Sequence, residues 1–314
     1  MDIFYHKNRI TALVLTSDNR YVVSASEDGK IKVWDVHTKT IVRTLIGHTA
    51  GVNDVALTPD NSRILSASDD GTVKIWDLGS GTDLFTFCEH YARVNCVTVS
   101  SDGRQVVSVS SSRYSENTTL KLWDIENGFV HRSFPTDDDF INAVALTPNG
   151  KHALTASTLT RHVFVWNIDR GEYIEGFCSD TGSRKMDVAV SPDGHFGVSA
   201  GDYGDINYFD IENGEEIFKI YHFDINVKEP NYWQNPGLMI WNVAFLDNGR
   251  SIMSCSYNGT VKLWDVETRK LKSSIDTGKP LTACTISPDG STIIAGDDFG
   301  QVYFLKTANI GTEF

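Results

Sequence analysis

The sequence predicts an all-β fold in which a four-stranded unit is repeated seven times and closed into a ring. The first observation is a segment, Gly47 to Asp77, whose pattern returns roughly every 40 to 55 residues. The second is that two independent landmarks within this pattern count the same number of copies. We therefore expect a single seven-bladed β-propeller built of four-stranded antiparallel blades.

The two landmarks are a closing aromatic residue and a polar turn that follows the first apolar run. The closing aromatic residues are Trp34, Trp76, Trp123, Trp166, Phe209, Trp264 and Phe304. The polar turns begin at Ser17, Pro59, Ser101, Pro148, Pro192, Asp247 and Pro288. Each landmark occurs once in each copy, which indicates seven structural repeats.

Each copy contains four short β-rich runs, which in the second copy are VNDVALT, SRILSAS, TVKIWDL and TDLFTF. Pro-Asp, Asp-Gly and Gly-Ser turns separate them, so the pattern predicts an antiparallel meander. Adjacent apolar pairs such as Ile64 and Leu65 are expected where both faces of a sheet are covered. Radial closure of seven such sheets covers those faces and leaves only short edges.

The two ends of the chain predict how the ring closes. The seventh copy ends near Lys306, and the remaining TANIGTEF is too polar for a good outer strand. The N-terminal segment aligns with the start of a copy, so we expect Ile3 to Tyr5 to supply the outer strand of the last blade. Residues 1–314 then form one propeller domain.

Composition excludes several classes of function. The formal net charge of -13 disfavours binding to a phosphate backbone, so we expect no nucleic-acid partner. The apolar runs are too short to cross a bilayer and no secretory signal is visible, so we expect a cytoplasmic protein without a membrane partner. The five cysteines have no zinc-ligand spacing, and we interpret them as small core residues.

The repeated segment resembles a WD40 repeat. Its opening Gly-His, central Thr-Pro-Asp and Ser-Ala-Ser-Asp-Asp-Gly, and closing Trp-Asp carry the resemblance. The regular LTPD and SPDG turns are also similar to bacterial WD40 arrays, which often serve as partner-sensing or scaffolding modules. The resemblance implies a noncatalytic platform that holds proteins or peptides, mostly on the face that carries the blade links and the turns between second and third strands. We call this face the top.

The resemblance also implies structural tetrads in which histidine, serine, aspartate and tryptophan are joined by hydrogen bonds. The first two copies supply His6, Ser26, Asp28 and Trp34, and His48, Ser68, Asp70 and Trp76. In the third copy, Ser115 and Asn117 could replace the serine and the aspartate. A catalytic triad is disfavoured, because the same residues recur at blade spacing together with tryptophan.

Two insertions lengthen top-face loops, at Ser111 to Thr119 and at Tyr221 to Leu238. Tyr232 and Trp233 in the second insertion are our first candidates for a protein-binding site, since aromatic residues and arginine are typical of binding hot spots. The further candidates on this face are Arg93, Arg113, Tyr114, Arg161, His162, Arg184, Lys185 and Tyr203. The alternative is that Trp233 folds back to plug the channel or to cover the neighbouring blade, and that the charged side chains are ordinary solvated surface.

The sequence thus predicts a cytoplasmic, noncatalytic protein-interaction scaffold or partner-sensing module. We expect it to bind a protein or peptide on the top face and to act as a monomeric propeller within a larger assembly, without a cofactor or metal. The alternative is a small-ligand binder or enzyme that uses the central channel. Against it, the inner strands offer only scattered polar residues: Asn53, Asn95, Asn142 and Asp187.

Overall fold

Short strands joined by tight turns make up almost all of the regular structure. The computed structural model describes residues 5–111, 119–135, 140–178, 182–223, 238–287 and 290–307. These residues form 27 strands in seven antiparallel sheets, and within each sheet the strands follow in sequence order. This confirms the predicted seven-bladed β-propeller.

The first four blades each have four strands, named here from the inner to the outer. Blade 1 contains β1 (Ile10–Leu15), β2 (Tyr21–Ser26), β3 (Lys30–Asp35) and β4 (Thr40–Ile46). Blade 2 contains β5 (Val52–Leu57), β6 (Arg63–Ser68), β7 (Val73–Asp77) and β8 (Asp83–Phe87). Blade 3 contains β9 (Arg93–Val99), β10 (Gln105–Ser111), β11 (Thr119–Asp124) and β12 (Val130–Pro135). Blade 4 contains β13 (Ile141–Leu146), β14 (His152–Ser157), β15 (His162–Asn167) and β16 (Glu172–Cys178).

The remaining blades follow the same plan. Blade 5 contains β17 (Lys185–Val190), β18 (Phe196–Gly201), β19 (Asp205–Asp210) and β20 (Glu216–Tyr221). Blade 6 contains β21 (Ile240–Leu246), β22 (Ser251–Ser256), β23 (Thr260–Asp265) and β24 (Leu271–Asp276), and a single 3-10 turn, Asp247–Gly249, follows β21. Blade 7 contains β25 (Leu281–Ile286), β26 (Thr292–Asp297) and β27 (Val302–Lys306). The described part of the chain offers no helix with the length and apolarity needed to span a bilayer.

The core consists of seven apolar clusters, each between two neighbouring blades. Between blades 1 and 2, Val23 and Val33 pack against Val52, Ile64 and Trp76. Equivalent clusters fill the next five interfaces, and Val22, Trp34 and Ile294 join blade 1 to blade 7. Each large side chain buried in this way stabilises the fold by about 1.5 to 3 kcal/mol. The sheets therefore pack on both faces, as the adjacent apolar pairs such as Ile64 and Leu65 predicted.

The start of the described chain lies against blade 7. The backbone N–H of His6 donates to the Gly300 carbonyl over 3.0 Å. The same contact occurs at the end of blade 5, where the backbone N–H of His222 donates to the Gly204 carbonyl. Gly300 has a φ of +86°, and a Cβ there would lie 2.4 Å from the His6 carbonyl oxygen, so the contact requires glycine. Of the predicted closing strand, Tyr5 lies in a bend and Ile3 falls outside the described residues. That fourth strand stays a prediction.

The repeated polar turns have a common chemical basis. In blade 2 the Thr58 hydroxyl donates to Asp60 Oδ1 over 2.6 Å, and the backbone N–H of Ser62 donates to the same oxygen. These hydrogen bonds hold the pKa of Asp60 at about 2. Because the side chain closes its own turn, the Thr-Pro-Asp pattern marks the end of an inner strand rather than a chemical site.

A candidate binding site at the channel mouth

Every inner strand carries a β-bulge at the same position. The bulged residues, which the strand register skips, are Thr11, Asn53, Asn95, Asn142, Met186, Trp241 and Thr282. A bulge re-aims the side chain at that point of the strand. All seven side chains line one central cavity of about 370 Å³, which opens on the top face.

Five of the seven bulged residues connect their blade to the next one. The Thr11 hydroxyl donates to the Val52 carbonyl over 2.6 Å, and Asn53 Nδ2 donates to the Val94 carbonyl over 2.8 Å. The corresponding bonds run from Asn95 to Ile141, from Asn142 to Lys185 and from Thr282 to Ile10. These hydrogen bonds fasten the upper ends of the inner strands to one another and give the mouth a fixed outline.

The ring of hydrogen bonds is interrupted at blades 5 and 6, where the bulged residues are Met186 and Trp241. Met186 has no donor, and Trp241 Nε1 is buried without a hydrogen-bond partner among the described residues. Among the described residues, the bulged residues of blades 5 and 6 therefore supply no hydrogen bond to the next blade.

Two carboxyl groups lie one residue deeper in the channel. Asp54 accepts hydrogen bonds from the Cys96 thiol and the Val97 backbone, while Asp187 accepts them from Asn242 Nδ2 and the backbone N–H of residue 243. Burial raises the pKa of Asp54 to about 6 and that of Asp187 to about 7, and the charge of Asp54 adds to the second shift. Each carboxyl joins two adjacent blades, so both have a structural role that explains their position.

Arginine residues occur around the mouth two positions before the bulge. The Arg9 guanidinium lies 4.0 Å from the centre of the Trp241 ring and reaches Glu27 and Asp298 only at 3.9 Å. Arg93 is exposed and lies over the Phe140 ring at 5.5 Å. Arg9 and Arg93 both line the cavity. The mouth thus presents cationic and aromatic groups on a protein whose net charge is strongly negative.

Large apolar side chains are exposed on loops of the top face. Tyr91 is 84% exposed in the link into blade 3, and Phe299 is 63% exposed in the turn between β26 and β27. Tyr5 and Leu159 are also mostly exposed, in the link into blade 1 and in the turn between β14 and β15. Exposed aromatic residues next to arginines are the composition typical of binding hot spots.

The structure describes six of the predicted binding residues, and the sixth, Lys185, lies in an inner strand rather than in a top-face loop. Arg93 lies at the mouth, whereas Arg184 is tied to Asp202 through its backbone N–H and a 3.7 Å ion pair. Arg161 is exposed in the turn between β14 and β15, with a φ of +66°. His162 starts β15 and its Nδ1 donates to the Thr160 carbonyl, and Tyr203 is half-buried in the turn between β18 and β19.

The other candidates lie outside the described residues: Tyr232, Trp233, Arg113 and Tyr114. Ser115, Asn117 and most of both predicted insertions do so as well. Their part in binding stays a prediction.

Lys185 requires a correction, because it is not a top-face loop residue. Its side chain is completely buried, and Nζ lies 2.8 Å from Asp205 Oδ2. The prediction failed because Lys185 begins the inner strand β17 and its side chain pairs with Asp205 of β19 inside blade 5. Cys88 is a second correction, since its side chain is exposed and does not belong to the core.

The predicted tetrads contain the wrong serine. The Trp34 indole donates to Ser24 Oγ over 2.8 Å, and that hydroxyl donates to His6 Nε2. Trp34 lies opposite Val22, so Ser24 is two residues along the same face, whereas Ser26 is about 13 Å away along the strand. Ser26 instead donates to the Asn8 carbonyl.

Blade 2 requires the same correction. Ser66, not Ser68, binds both Trp76 and His48, at 2.9 and 2.7 Å, and His48 Nδ1 donates to Asp70 over 2.8 Å. Ser68 donates to the Gly51 carbonyl at the end of its strand. The histidine, aspartate and tryptophan of each predicted tetrad are thus joined as expected, through the preceding serine.

Later blades keep parts of this network. His90 and Trp123 share Ser108, and His222 and Trp264 share Ser254. Burial lowers the pKa of His90 and of His222 to about 3, with a smaller contribution from a neighbouring lysine. Both imidazoles are therefore neutral, which leaves each ring one nitrogen that can accept a hydrogen bond from the serine hydroxyl. The recurrence of the network in several blades indicates a structural function.

The repeat pattern did not indicate Arg9, Tyr91, Trp241 or Phe299 as site residues. A signal for Trp241 was available, because alignment of the inner strands places it alone as an aromatic residue in a column of polar residues and one methionine. Arg9 precedes its bulge by two residues, as Arg93 and Arg184 do. No described histidine, cysteine, aspartate or glutamate residues form a group of three that could hold a metal ion.

Two family models match the chain. The model for the "WD repeat-containing protein 75 first beta-propeller" matches residues 14–127, and the "WD domain, G-beta repeat" model matches residues 234–265. Neither match covers half of the chain, yet both fall on repeats that the structure forms as blades. The sequence similarity and the observed architecture therefore agree.

Among curated proteins, the chain is similar to WD repeat-containing protein SL1-17 of Schistosoma mansoni, 23% identical over 52% of this chain and 50% of the relative. It is 28% identical to the small ribosomal subunit protein RACK1y of Oryza sativa subsp. japonica, over 55% of this chain and 49% of the relative. A shorter match, 46% identical over 16% of each chain, is to the target of rapamycin complex subunit LST8 of Saccharomyces cerevisiae. The matched segments span half or less of these relatives.

Proposed function

Because the chain is a WD40-repeat β-propeller, we propose that it is a noncatalytic protein-interaction module that binds a protein or peptide on its top face. The observation that carries the proposal is the composition of the top face, where Tyr91 and Phe299 are exposed on loops and a cavity is lined by Arg9, Arg93 and Trp241. Arginine and aromatic residues contribute most of the binding free energy at typical protein interfaces.

The rigidity of the mouth supports the same function. Hydrogen bonds from the bulged residues hold five of the seven blade junctions at the top. A surface that is already ordered loses little conformational entropy on binding, which favours affinity. The relatives support the same function, since one is named as a ribosomal subunit protein and another as a subunit of the target of rapamycin complex.

The cavity is the observation in favour of the alternative, a small ligand bound in the channel. Its volume of about 370 Å³ is large enough for a small molecule. The carboxyl groups of Asp54 and Asp187, however, already accept hydrogen bonds at both of their oxygen atoms. They have less capacity for acid-base chemistry than open carboxylates, and we therefore prefer the protein-interaction module. We further propose that it acts in the cytoplasm, as one propeller of a larger assembly.

Paired capture from native lysate tests the proposed face. The first variant replaces Tyr91, Arg93 and Phe299 with alanine, and a matched control replaces Phe129, Arg170 and Tyr173, which are exposed on the opposite face. We expect the first variant to lose a protein that both the wild type and the control retain. A further variant, Tyr232→Ala, Trp233→Ala and Arg161→Ala, tests the second insertion.

Equal melting temperatures for wild type and variants are required, so that loss of capture reports binding. If the top-face variant and the control retain the same proteins, the top face is not the binding surface. Loss only from the control would place the interaction on the opposite face.

A further inference from the structure

Three buried polar atoms at the channel mouth have no hydrogen-bond partner among the described residues. They are Arg9 Nε, Trp241 Nε1 and Asn242 Oδ1, and all three side chains line the same cavity. Arg9 Nε lies 3.9 Å from Asp298 Oδ1, which exceeds a hydrogen-bond distance. Native proteins leave few buried polar atoms unpaired, so three at one place indicate that a missing group completes them.

The three atoms define the chemistry of that group. Arg9 Nε and Trp241 Nε1 are donors, and Asn242 Oδ1 is an acceptor. The orientation of the Asn242 amide is determined by its other end, because Nδ2 donates to Asp187 Oδ2 over 2.9 Å. The complementary group must therefore accept two hydrogen bonds and donate one.

A carboxamide has this combination, because its oxygen has two lone pairs and its nitrogen carries N–H. A carboxylate offers only acceptors and would face Asn242 Oδ1 without a proton between them. An ammonium group offers only donors and would leave the two N–H groups unpaired.

Arg9 covers this position in the structure. Its guanidinium stacks on Trp241 at 4.0 Å, but its contacts with Glu27 and Asp298 are both 3.9 Å long. Moving the side chain therefore breaks no short ion pair.

We propose that the partner inserts a carboxamide, from an asparagine or glutamine side chain, into the channel mouth. Arg9 moves off the indole ring, the carboxamide oxygen accepts from Arg9 Nε and Trp241 Nε1, and its nitrogen donates to Asn242 Oδ1. The inference rests on the proposed function, since it names the group by which the bound segment is held.

The test is a titration followed by the indole N–H resonances of the seven tryptophans. The probe is N-acetylglutamine methylamide, its isosteric control is N-acetylglutamate methylamide, and the Trp241 signal is assigned by its loss in Trp241→Phe. We expect the glutamine probe to shift the Trp241 signal saturably, and the glutamate control to bind about tenfold more weakly or less. Equal shifts with both probes, or no shift up to the solubility limit, would overturn the proposal.

Variants separate the proposed contacts from general effects. Asn242→Leu should abolish the preference for glutamine, whereas Arg20→Met should leave it intact, since Arg20 stacks on Tyr21 at the opposite end of blade 1. If Asn242→Leu is unstable, Arg9→Met gives a second test, because it removes one of the two proposed donors from a partly buried side chain. An affinity for the glutamine probe that survives Arg9→Met unchanged contradicts the assignment.

The two proposals fail in different ways. If the top-face capture variant loses its partner but the glutamine probe does not shift Trp241, the interaction face stands and the carboxamide is wrong. If the probe shifts Trp241 while that variant captures the same proteins as the wild type, the subsite stands and the proposed function is wrong.

Discussion

Lys185 Nζ lies 2.8 Å from Asp205 Oδ2 in blade 5, and both side chains are completely buried. Asn207 Oδ1 accepts a second hydrogen bond from the same ammonium group over 2.7 Å. Blade 5 closes with Phe209 and has no indole N–H, so the histidine, serine and tryptophan network of other blades has no counterpart here. An ion pair connects the inner and third strands of this blade instead.

Removing one member of this pair should be strongly destabilising. We expect Lys185→Met to lower the free energy of unfolding by about 3 to 5 kcal/mol, because Asp205 would be left as a buried charge without its cation. Urea denaturation measures the change. Arg63→Met, which removes an exposed ion pair with Glu126, should cost at most about 1 kcal/mol.

The double variant Lys185→Met with Asp205→Leu should recover part of the lost stability, since it removes both charges. Similar losses for Lys185→Met and Arg63→Met would show that the buried pair has no special role.

Ser66→Ala should disturb the network of blade 2 in a way that Ser68→Ala does not. Ser66 accepts from the Trp76 indole, and its removal leaves a buried donor unpaired at a cost of about 1 to 3 kcal/mol. The indole N–H resonance of Trp76 should move in Ser66→Ala and stay in place in Ser68→Ala. A larger shift in Ser68→Ala than in Ser66→Ala would instead support Ser68, the serine that the sequence predicts, as the partner of Trp76.

The contribution of Asp54 and Asp187 to stability should fall as the pH rises from about 4 to about 7, because burial raises the pKa of Asp54 to about 6 and of Asp187 to about 7. Over this range these two carboxyl groups bind more protons in the folded protein than in the unfolded chain, whereas His90 and His222, whose pKa burial lowers to about 3, act in the opposite direction. Below this pH range both carboxyl groups are protonated in the folded and in the unfolded protein, and above it they are ionised in both. Their contribution to stability is therefore present in acid and lost at neutral pH.

Asp187→Asn isolates this contribution, since the variant cannot titrate there. The stability of the wild type relative to Asp187→Asn should be greater at pH 5 than at pH 8, by about 1 kcal/mol or more. Thermal unfolding at both pH values measures it. A difference that is constant or grows with pH would contradict the raised pKa.

Cys88 should be alkylated much faster than Cys96, Cys255 and Cys284 in the native protein. Its side chain is exposed, whereas burial raises the pKa of the Cys96 and Cys284 thiols and keeps them in the unreactive protonated form. Peptide mapping after a short exposure to iodoacetamide gives the rates. In urea the four rates should become similar, which serves as the control.

Much of the fold could be predicted because each copy specifies its blade locally. Thr58 and Asp60 close their turn through contacts within five residues, and Trp76 occupies the third strand of its own sheet. The candidate site was harder to predict, since Arg9 and Trp241 are separated by most of the chain and meet only across the closed ring. Ser66 was misassigned for a local reason, as two serines in one strand both fit the pattern and only the register distinguishes them.

The sequence by itself determined the number of blades, the strand order within each blade and the position of each turn, because those depend on apolar periodicity and turn residues a few positions apart. The tertiary structure alone decided which side chains surround the mouth. The bulges turn Thr11, Asn53 and Trp241 toward one axis, and closure of the ring brings them together. A site assembled from seven strands exists only once the strands are packed, since no segment of the chain contains it.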